Sequence, residues 1–161
     1  MYSRTIYFRI MKTSDNGIRL IQEFEGLRLT SYLCSAGVPT IGYGATYYHD
    51  GSKVKLRQTI TKEQAVQMLK DHLKEFEGSV TGLLNTTKVN ANQFDALVSF
   101  CYNLGAGNLA KSQLLRFVKA NPNDPKIAAE FAKWNRAGGE VSTGLVRRRK
   151  KEAELYFTAI V

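Results

Sequence analysis

Two kinds of residue spacing divide this chain, and the boundary between them lies near Thr61. From Val38 to Leu56 glycines, aromatics and β-branched residues crowd together, and Asp50-Gly51 supplies a hairpin turn signal. That stretch predicts a small antiparallel sheet. Beyond it the apolar residues recur at helical spacing. Thr61 with Gln64 forms a capping box, and Val66, Leu69, Leu73, Phe76 and Val80 make the stripe of a long helix. Asn92 to Tyr102 follows with Phe94, Leu97, Val98 and Cys101 inward, then Ser112 to Lys119. Pro125 stands at a first-turn position after Asp124 and leads to Phe131 and Trp134, and a last helix runs from about Leu145 to Thr158. One helix precedes the sheet: Ser14 or Asp15 caps it, Ile18, Ile21 and Phe24 line it, and Gly26 stops it.

There is no internal repeat, low-complexity tract or Pro-rich linker. The expectation is therefore a single α+β domain, with a small sheet-containing lobe over about 14–60, a helical lobe over about 61–161, and a cleft between them. At 161 residues, 43% of them hydrophobic, one such domain has enough core. Residues 1–11 read as a peripheral extension. Arg4 and Arg9 interrupt any signal core there, and no apolar run approaches the roughly 20 residues that span a bilayer, so neither a signal peptide nor a transmembrane segment is expected.

Lys and Arg outnumber Asp and Glu by 23 to 14, a net charge of +9 that favours a polyanionic partner: nucleic acid, an anionic cell wall or a membrane surface. Cys34 and Cys101 are too few for a disulfide scaffold and are read as free thiols. His49 and His72 are isolated from other metal-ligand types, so no metal or cofactor is implied.

The chemistry concentrates between Glu25 and Gly44. Glu25 lies four residues after Ile21 and seven after Ile18, which puts its carboxyl on their inward face, bordered by Ile21 and Leu27. Partial desolvation there would hold a proton on it and suit it to general acid work. Thr40 opens the segment Thr40-Ile41-Gly42-Tyr43-Gly44, where a hydroxyl can hold a water and the glycines let a sugar ring approach the backbone. Cys34, between them, can act as a base in its thiolate form, attack a sugar carbon, or position water. Taken singly, each residue also fits a bland role: a solvated or paired Glu, a small buried Cys, a strand-forming Thr.

Glu25, eight residues, Cys34, five residues, Thr40 resembles the signature of the phage-type lysozymes, the endolysins of glycoside hydrolase family 24. That signature is Glu, eight residues, Asp or Cys, five residues, Thr. Gln93 to Gly107 resembles the family's central buried helix and its glycine turn, and Trp134 to Arg149 resembles its C-terminal region. The resemblance implies the lysozyme-like form of the α+β fold. It also implies a bacteriolytic muramidase that hydrolyses the β-1,4 bond between N-acetylmuramic acid and N-acetylglucosamine in peptidoglycan, causing host lysis. By the same resemblance Glu25 is the general acid, Cys34 stands where Asp is commoner, Thr40 positions the attacking water, and Tyr43 and Asn103 contact the glycan. Such a protein is expected to be monomeric, to be made in the host cytoplasm and to reach the wall after holin-type release.

Two departures accompany the match. The family's strand usually carries a histidine that anchors the sheet to the helical lobe, and Ala45 stands in that position. The other is Cys34: an unperturbed thiol near about 8.5 is only a few per cent thiolate at neutral pH, whereas an Asp is fully ionised. Activity through a thiolate would rise toward mildly alkaline pH and be lost on alkylation, with the basic surroundings helping to form it. The run Arg147, Arg148, Arg149, Lys150, Lys151 resembles a nucleic-acid patch in isolation, but no recognition helix with interleaved Asn, Gln and Arg accompanies it. It is read instead as a solvated helix face with an Arg148 to Glu152 pair, one arginine reaching toward Glu25 and the rest available to anionic outer-membrane lipid or wall polymers. A catalytically weakened, cationic wall-binding or membrane-perturbing protein is the competing reading.

Overall fold

The computed structural model describes residues 10–161. The supposed extension falls almost wholly outside them, although Met11 packs against the main core. In chain order the elements are α1 (Asp15–Glu25), β1 (Arg28–Leu33), β2 (Pro39–Gly42), α2 (Lys62–Leu84), α3 (Ala91–Leu104), α4 (Ala106–Lys111), α5 (Gln113–Ala120), α6 (Ile127–Ala132), β3 (Arg136–Ala137), β4 (Glu140–Val141) and α7 (Thr143–Tyr156).

α3 is the centre of the helical lobe. Its residues from Asn92 to Cys101 are all buried, since α1, α2, α4 and α7 surround it and leave no face for water. Asn90 and Gln93 cap it reciprocally, as Thr61 and Gln64 cap α2. α2 serves both lobes: Leu69, Leu73 and Val80 enter the main core, while Met68 joins Ile41, Ala45 and Val54 in a small second core under the sheet. Ala45 thus occupies a tight apolar site where a histidine was expected.

α1 carries Glu25, and its N-terminus is fixed from outside. Ser14 is the N-cap but makes no side-chain cap bond of its own. Asp95 of α3 instead accepts from the Ser14 N–H at 2.9 Å, from the Gly17 N–H at 3.1 Å and from the Ser14 hydroxyl. Glu77 of α2 accepts from the Thr13 N–H at 2.9 Å and the Thr13 hydroxyl at 2.8 Å. Two acids from neighbouring helices therefore satisfy donors that a helix start leaves open. A Cβ on Gly17 would lie 2.7 Å from the Asp95 carboxyl carbon, so only glycine fits.

The sheet differs from its expected outline. β1 pairs antiparallel with β2, Tyr32 opposite Thr40, although Arg28 to Leu33 carries no alternation that would have announced a strand. Its side chains are mostly exposed. Past Gly42 the expected sheet reduces to single bridges, Ile41 to Ala45 and Tyr47 to Lys53, the latter flanking the Asp50-Gly51 turn. The short α4 and the β3–β4 hairpin at Gly138-Gly139 were not anticipated. Pro125 lies in the turn before α6, and Trp134 lies beyond that helix with its ring edge-on to Phe100 at 5.5 Å.

Candidate active site

Gly26, at φ 68, turns the chain out of α1 directly after Glu25. The carboxyl is left at a cavity of about 330 Å³, with Gly44, Ala45, Thr46 and Tyr47 on the sheet side and His72, Phe76, Tyr102 and Asn103 on the helical side. Arg148 Nη1 donates to Glu25 Oε1 at 2.8 Å. The other oxygen, Oε2, faces Gly44, where an added Cβ would come within 3.5 Å of it. The apolar bed expected from Ile21 and Leu27 is therefore overridden by a guanidinium, which grips one carboxylate oxygen and leaves the other toward the cleft.

Arg148 is itself held. Its Nε lies 3.3 Å from Glu152 Oε1, which also accepts from the Ser99 hydroxyl at 2.7 Å and from Arg149 Nη2 at 2.8 Å. Arg149 Nη2 donates in addition to Asn103 Oδ1 at 2.9 Å, and Arg149 Nε lies 2.7 Å from Glu152 Oε2. Arg148, Arg149 and Glu152 are 4%, 1% and 0% exposed, so the expected solvated face is overturned. The i to i+4 pair exists, but as the centre of a buried cluster. Burial pushes the Glu152 carboxyl up, and the two guanidiniums oppose that shift. Arg147 pairs with Glu23 on the surface, which leaves Lys150 and Lys151 as the exposed remainder of the basic run.

Cys34 directly follows β1, and the next four residues fold into a tight turn: Cys34 N–H donates to Val38 C=O at 3.0 Å and Gly37 N–H to Cys34 C=O at 2.8 Å. Local hydrogen bonding, chiefly from the backbone N–H groups of Val38 and Ala36, holds the Cys34 thiol below its ordinary pKa. The cause is local hydrogen bonding, where basic surroundings were expected. Thr40 is buried, and its hydroxyl donates to Val38 C=O at 2.9 Å. Cys34 and Thr40 thus stand together. Neither lines the Glu25 cavity, and no hydrogen bond joins either to Glu25 among the described residues. Both cysteines are free thiols, Cys101 being buried in the core.

The family model described as Phage lysozyme matches residues 22–152. The chain belongs to the phage lysozyme family. Among curated relatives, the endolysin of Bacillus phage B103 is 46% identical over 92% of this chain and 55% of its own length. The endolysin of Salmonella phage P22 is 38% identical over 89% of this chain and 97% of its own. The chain therefore spans about half the length of the first of these relatives and nearly all of the second. Among solved structures, an endolysin from Escherichia coli O157:H7 phage FAHEc1 superposes with a TM-score of 0.85 at 37% identity, covering 93% of this chain and 96% of that one. The phage lysozyme fold, helical with a small antiparallel sheet, is thereby shown.

Within that fold the remaining expected site residues divide. Asn103 lines the cleft, but the Tyr43 side chain is buried in the main core and meets the cleft region only through its carbonyl, which accepts from the Tyr102 hydroxyl at 3.2 Å. Tyr43 lies in the turn just past β2, and its neighbour Gly44 forms the cleft wall in its place. His72, expected to be isolated, lines the cavity with its ring centroid 4.5 Å from that of Tyr47, and burial holds its pKa down. His49 Nδ1 lies 3.6 Å from Asp71 of α2 at the exposed surface. Sequence reasoning named neither Tyr47 nor Tyr102 nor Phe76 as cleft groups, and the burial stripe that it assigned to Phe76 was the relevant signal. Burial and the neighbouring Glu25 push the Tyr102 phenol up to about 12, so it stays a neutral hydrogen-bond donor. Among the described residues no group of three His, Cys, Asp or Glu side chains is placed for a metal, and no helix is long and apolar enough to cross a membrane.

Proposed function

We propose that this chain is a muramidase of the endolysin type, hydrolysing the β-1,4 bond between N-acetylmuramic acid and N-acetylglucosamine in peptidoglycan. The observation that carries the proposal is the cleft carboxyl of Glu25, one oxygen fixed by Arg148 and the other facing the cleft beside Gly44. Glu25 delivers a proton to the glycosidic oxygen as the bond to the anomeric carbon breaks. A water oxygen bonds to that carbon and its proton passes to the Cys34 thiolate. Thr40 positions that water: its hydroxyl proton is given to Val38 C=O, and the oxygen is left to accept from the water. Attack by water inverts the anomeric centre, whereas a covalent Cys34 intermediate would retain it, and the anomer first formed is read by NMR.

The natural setting follows from the same reading: synthesis in the host cytoplasm, release to the wall through a holin-type lesion, and action as a monomer on glycan strands. The +9 charge favours anionic wall polymers. Outer-membrane lipid would meet Lys150 of α7 along with the other surface cations, since the neighbouring arginines are paired and Lys151 lies 3.8 Å from Glu154. Turbidity clearing of permeabilised Gram-negative cells tests the activity. Glu25→Gln is expected to slow lysis by about 10²- to 10⁴-fold. Clearing at the original rate would instead support the cationic membrane-perturbing reading, and steep salt-dependent retention on DNA would support nucleic-acid binding.

A further inference from the structure

The buried cluster on α7 has one carboxylate at its centre and two cleft groups at its ends. Arg148 and Arg149 are adjacent in sequence, both contact Glu152, and each reaches a different residue of the cavity wall. Arg148 meets Glu25 Oε1 at 2.8 Å, and Arg149 meets Asn103 Oδ1 at 2.9 Å. A guanidinium can only donate, so the Asn103 atom facing Arg149 is its oxygen. The amide N–H₂ is then the end left for the cavity that Asn103 lines. Asn103 Nδ2 makes no hydrogen bond to protein among the described residues, in contrast to Asn108, whose Nδ2 donates to Leu104 C=O at 2.6 Å.

We propose that Glu152, acting through Arg149, is a positioning residue that turns Asn103 into a donor-only contact for an acceptor-only oxygen of the glycan, while the same carboxylate, through Arg148, sets Glu25. The inference rests on the muramidase reading and deepens it. The acceptor-only oxygens on this substrate class are the carbonyl of an acetamido group, the carboxylate of a lactyl group, and the ring, glycosidic and lactyl ethers, of which the carbonyl and the carboxylate are the stronger acceptors for an amide N–H. A hydroxyl offers both roles and is not selected by a donor-only face. Glu152 is fully buried and touches neither the cavity nor a substrate, so its influence on binding passes through the two arginines.

The test is a double-mutant cycle of Asn103→Ala and Arg149→Met, with thermal melts confirming folding and KM and kcat measured separately. Each single variant should raise KM about tenfold with kcat held within about threefold, and the double variant should lose no more than the larger single loss. Asn103→Ala leaves the buried cluster intact, so its arm stands if Arg149→Met fails to fold. Three substrates assign the oxygen: peptidoglycan fragments, the same fragments de-N-acetylated, and chitooligosaccharides, which have acetamido but no lactyl groups. An Asn103→Ala effect that vanishes on the fragments lacking acetamido groups assigns the acetamido carbonyl, one that vanishes on the oligosaccharides lacking lactyl groups assigns the lactyl carboxylate, and one that persists on both assigns an ether oxygen. Multiplying losses in the double variant, or an unchanged KM for Asn103→Ala on every substrate, would overturn the inference. A wild-type chain without muralytic activity, or a fully active Glu25→Gln, would overturn the muramidase reading instead.

Discussion

Glu25 reaches its hydrogen-bond partner across 123 residues of chain, whereas Cys34 finds Ala36, Val38 and Thr40 within its own hairpin. The acid's orientation is a property of the whole helical lobe: α1 is docked at one end by Asp95 and Glu77, and its last carboxyl is fixed by an arginine that a buried glutamate holds. The thiol's environment is a property of one turn. Damage to the helical lobe should therefore reach Glu25 and leave Cys34 alone, and damage to the hairpin should do the reverse.

Glu152→Ala tests that separation most severely. It leaves two buried guanidiniums on α7 without their shared carboxylate, and removing one partner from a buried ion cluster costs about 3–5 kcal/mol. Melting should fall accordingly, and lysis should fall even at temperatures where the variant stays folded. The alkylation rate of Cys34 in the folded variant should match that of the original chain. A melting point within a degree of the original would show that the cluster does not support the fold, and a changed alkylation rate would show that the two halves are coupled.

The same division explains what was legible in the sequence. Contacts inside one element were readable: the Thr61 and Gln64 capping box, the Gly26 stop that exposes Glu25, and the Leu69, Leu73 and Val80 stripe all hold. Arg148 and Glu152 were readable as a pair by spacing, but their burial was not, because the spacing is the same on a wet face and a dry one. The Ser99 hydroxyl and the Glu25 carboxyl, both remote in sequence, join Arg149 in making that burial tolerable. β1 escaped notice because a mostly exposed strand has no alternation to show. Tyr43 was misplaced for a similar reason: near glycines such as Gly44, at φ 84, strand alternation no longer tells which face a side chain takes.

Two glycines offer a milder contrast. Gly17→Ala drives a Cβ to 2.7 Å from the Asp95 carboxyl carbon and 2.6 Å from Thr13 Cγ2, so α1 must shift or lose its external cap. A loss of about 1–3 kcal/mol is expected in denaturant unfolding, together with slower lysis, because α1 carries Glu25. Gly37→Ala meets nothing within 4 Å but must hold φ 75 in the hairpin turn, at about 1 kcal/mol. Its effect should appear on Cys34 reactivity before it appears on stability. If Gly17→Ala left both stability and lysis intact, the rigid docking of α1 would be the wrong account of how Glu25 is presented.

The smallest effect expected is a displacement along the pH axis. Local hydrogen bonding, chiefly from the Val38 and Ala36 backbone, lowers the Cys34 thiol from its ordinary value, so thiolate, and with it any activity that uses the sulfur as a base, appears as pH rises through that lowered value. The ascending limb of the lysis profile should be half complete below the midpoint of an ordinary thiol, and iodoacetamide should inactivate with the same midpoint. Cys34→Asp places a carboxylate, ionised above about 3.9, against the same donors, so that limb should vanish from the neutral range while Cys34→Ser lowers the rate throughout. A limb that stays in place in Cys34→Asp belongs to another group. Cys34 would then hold the water without taking its proton, and the hairpin's hydrogen bonds would serve geometry alone.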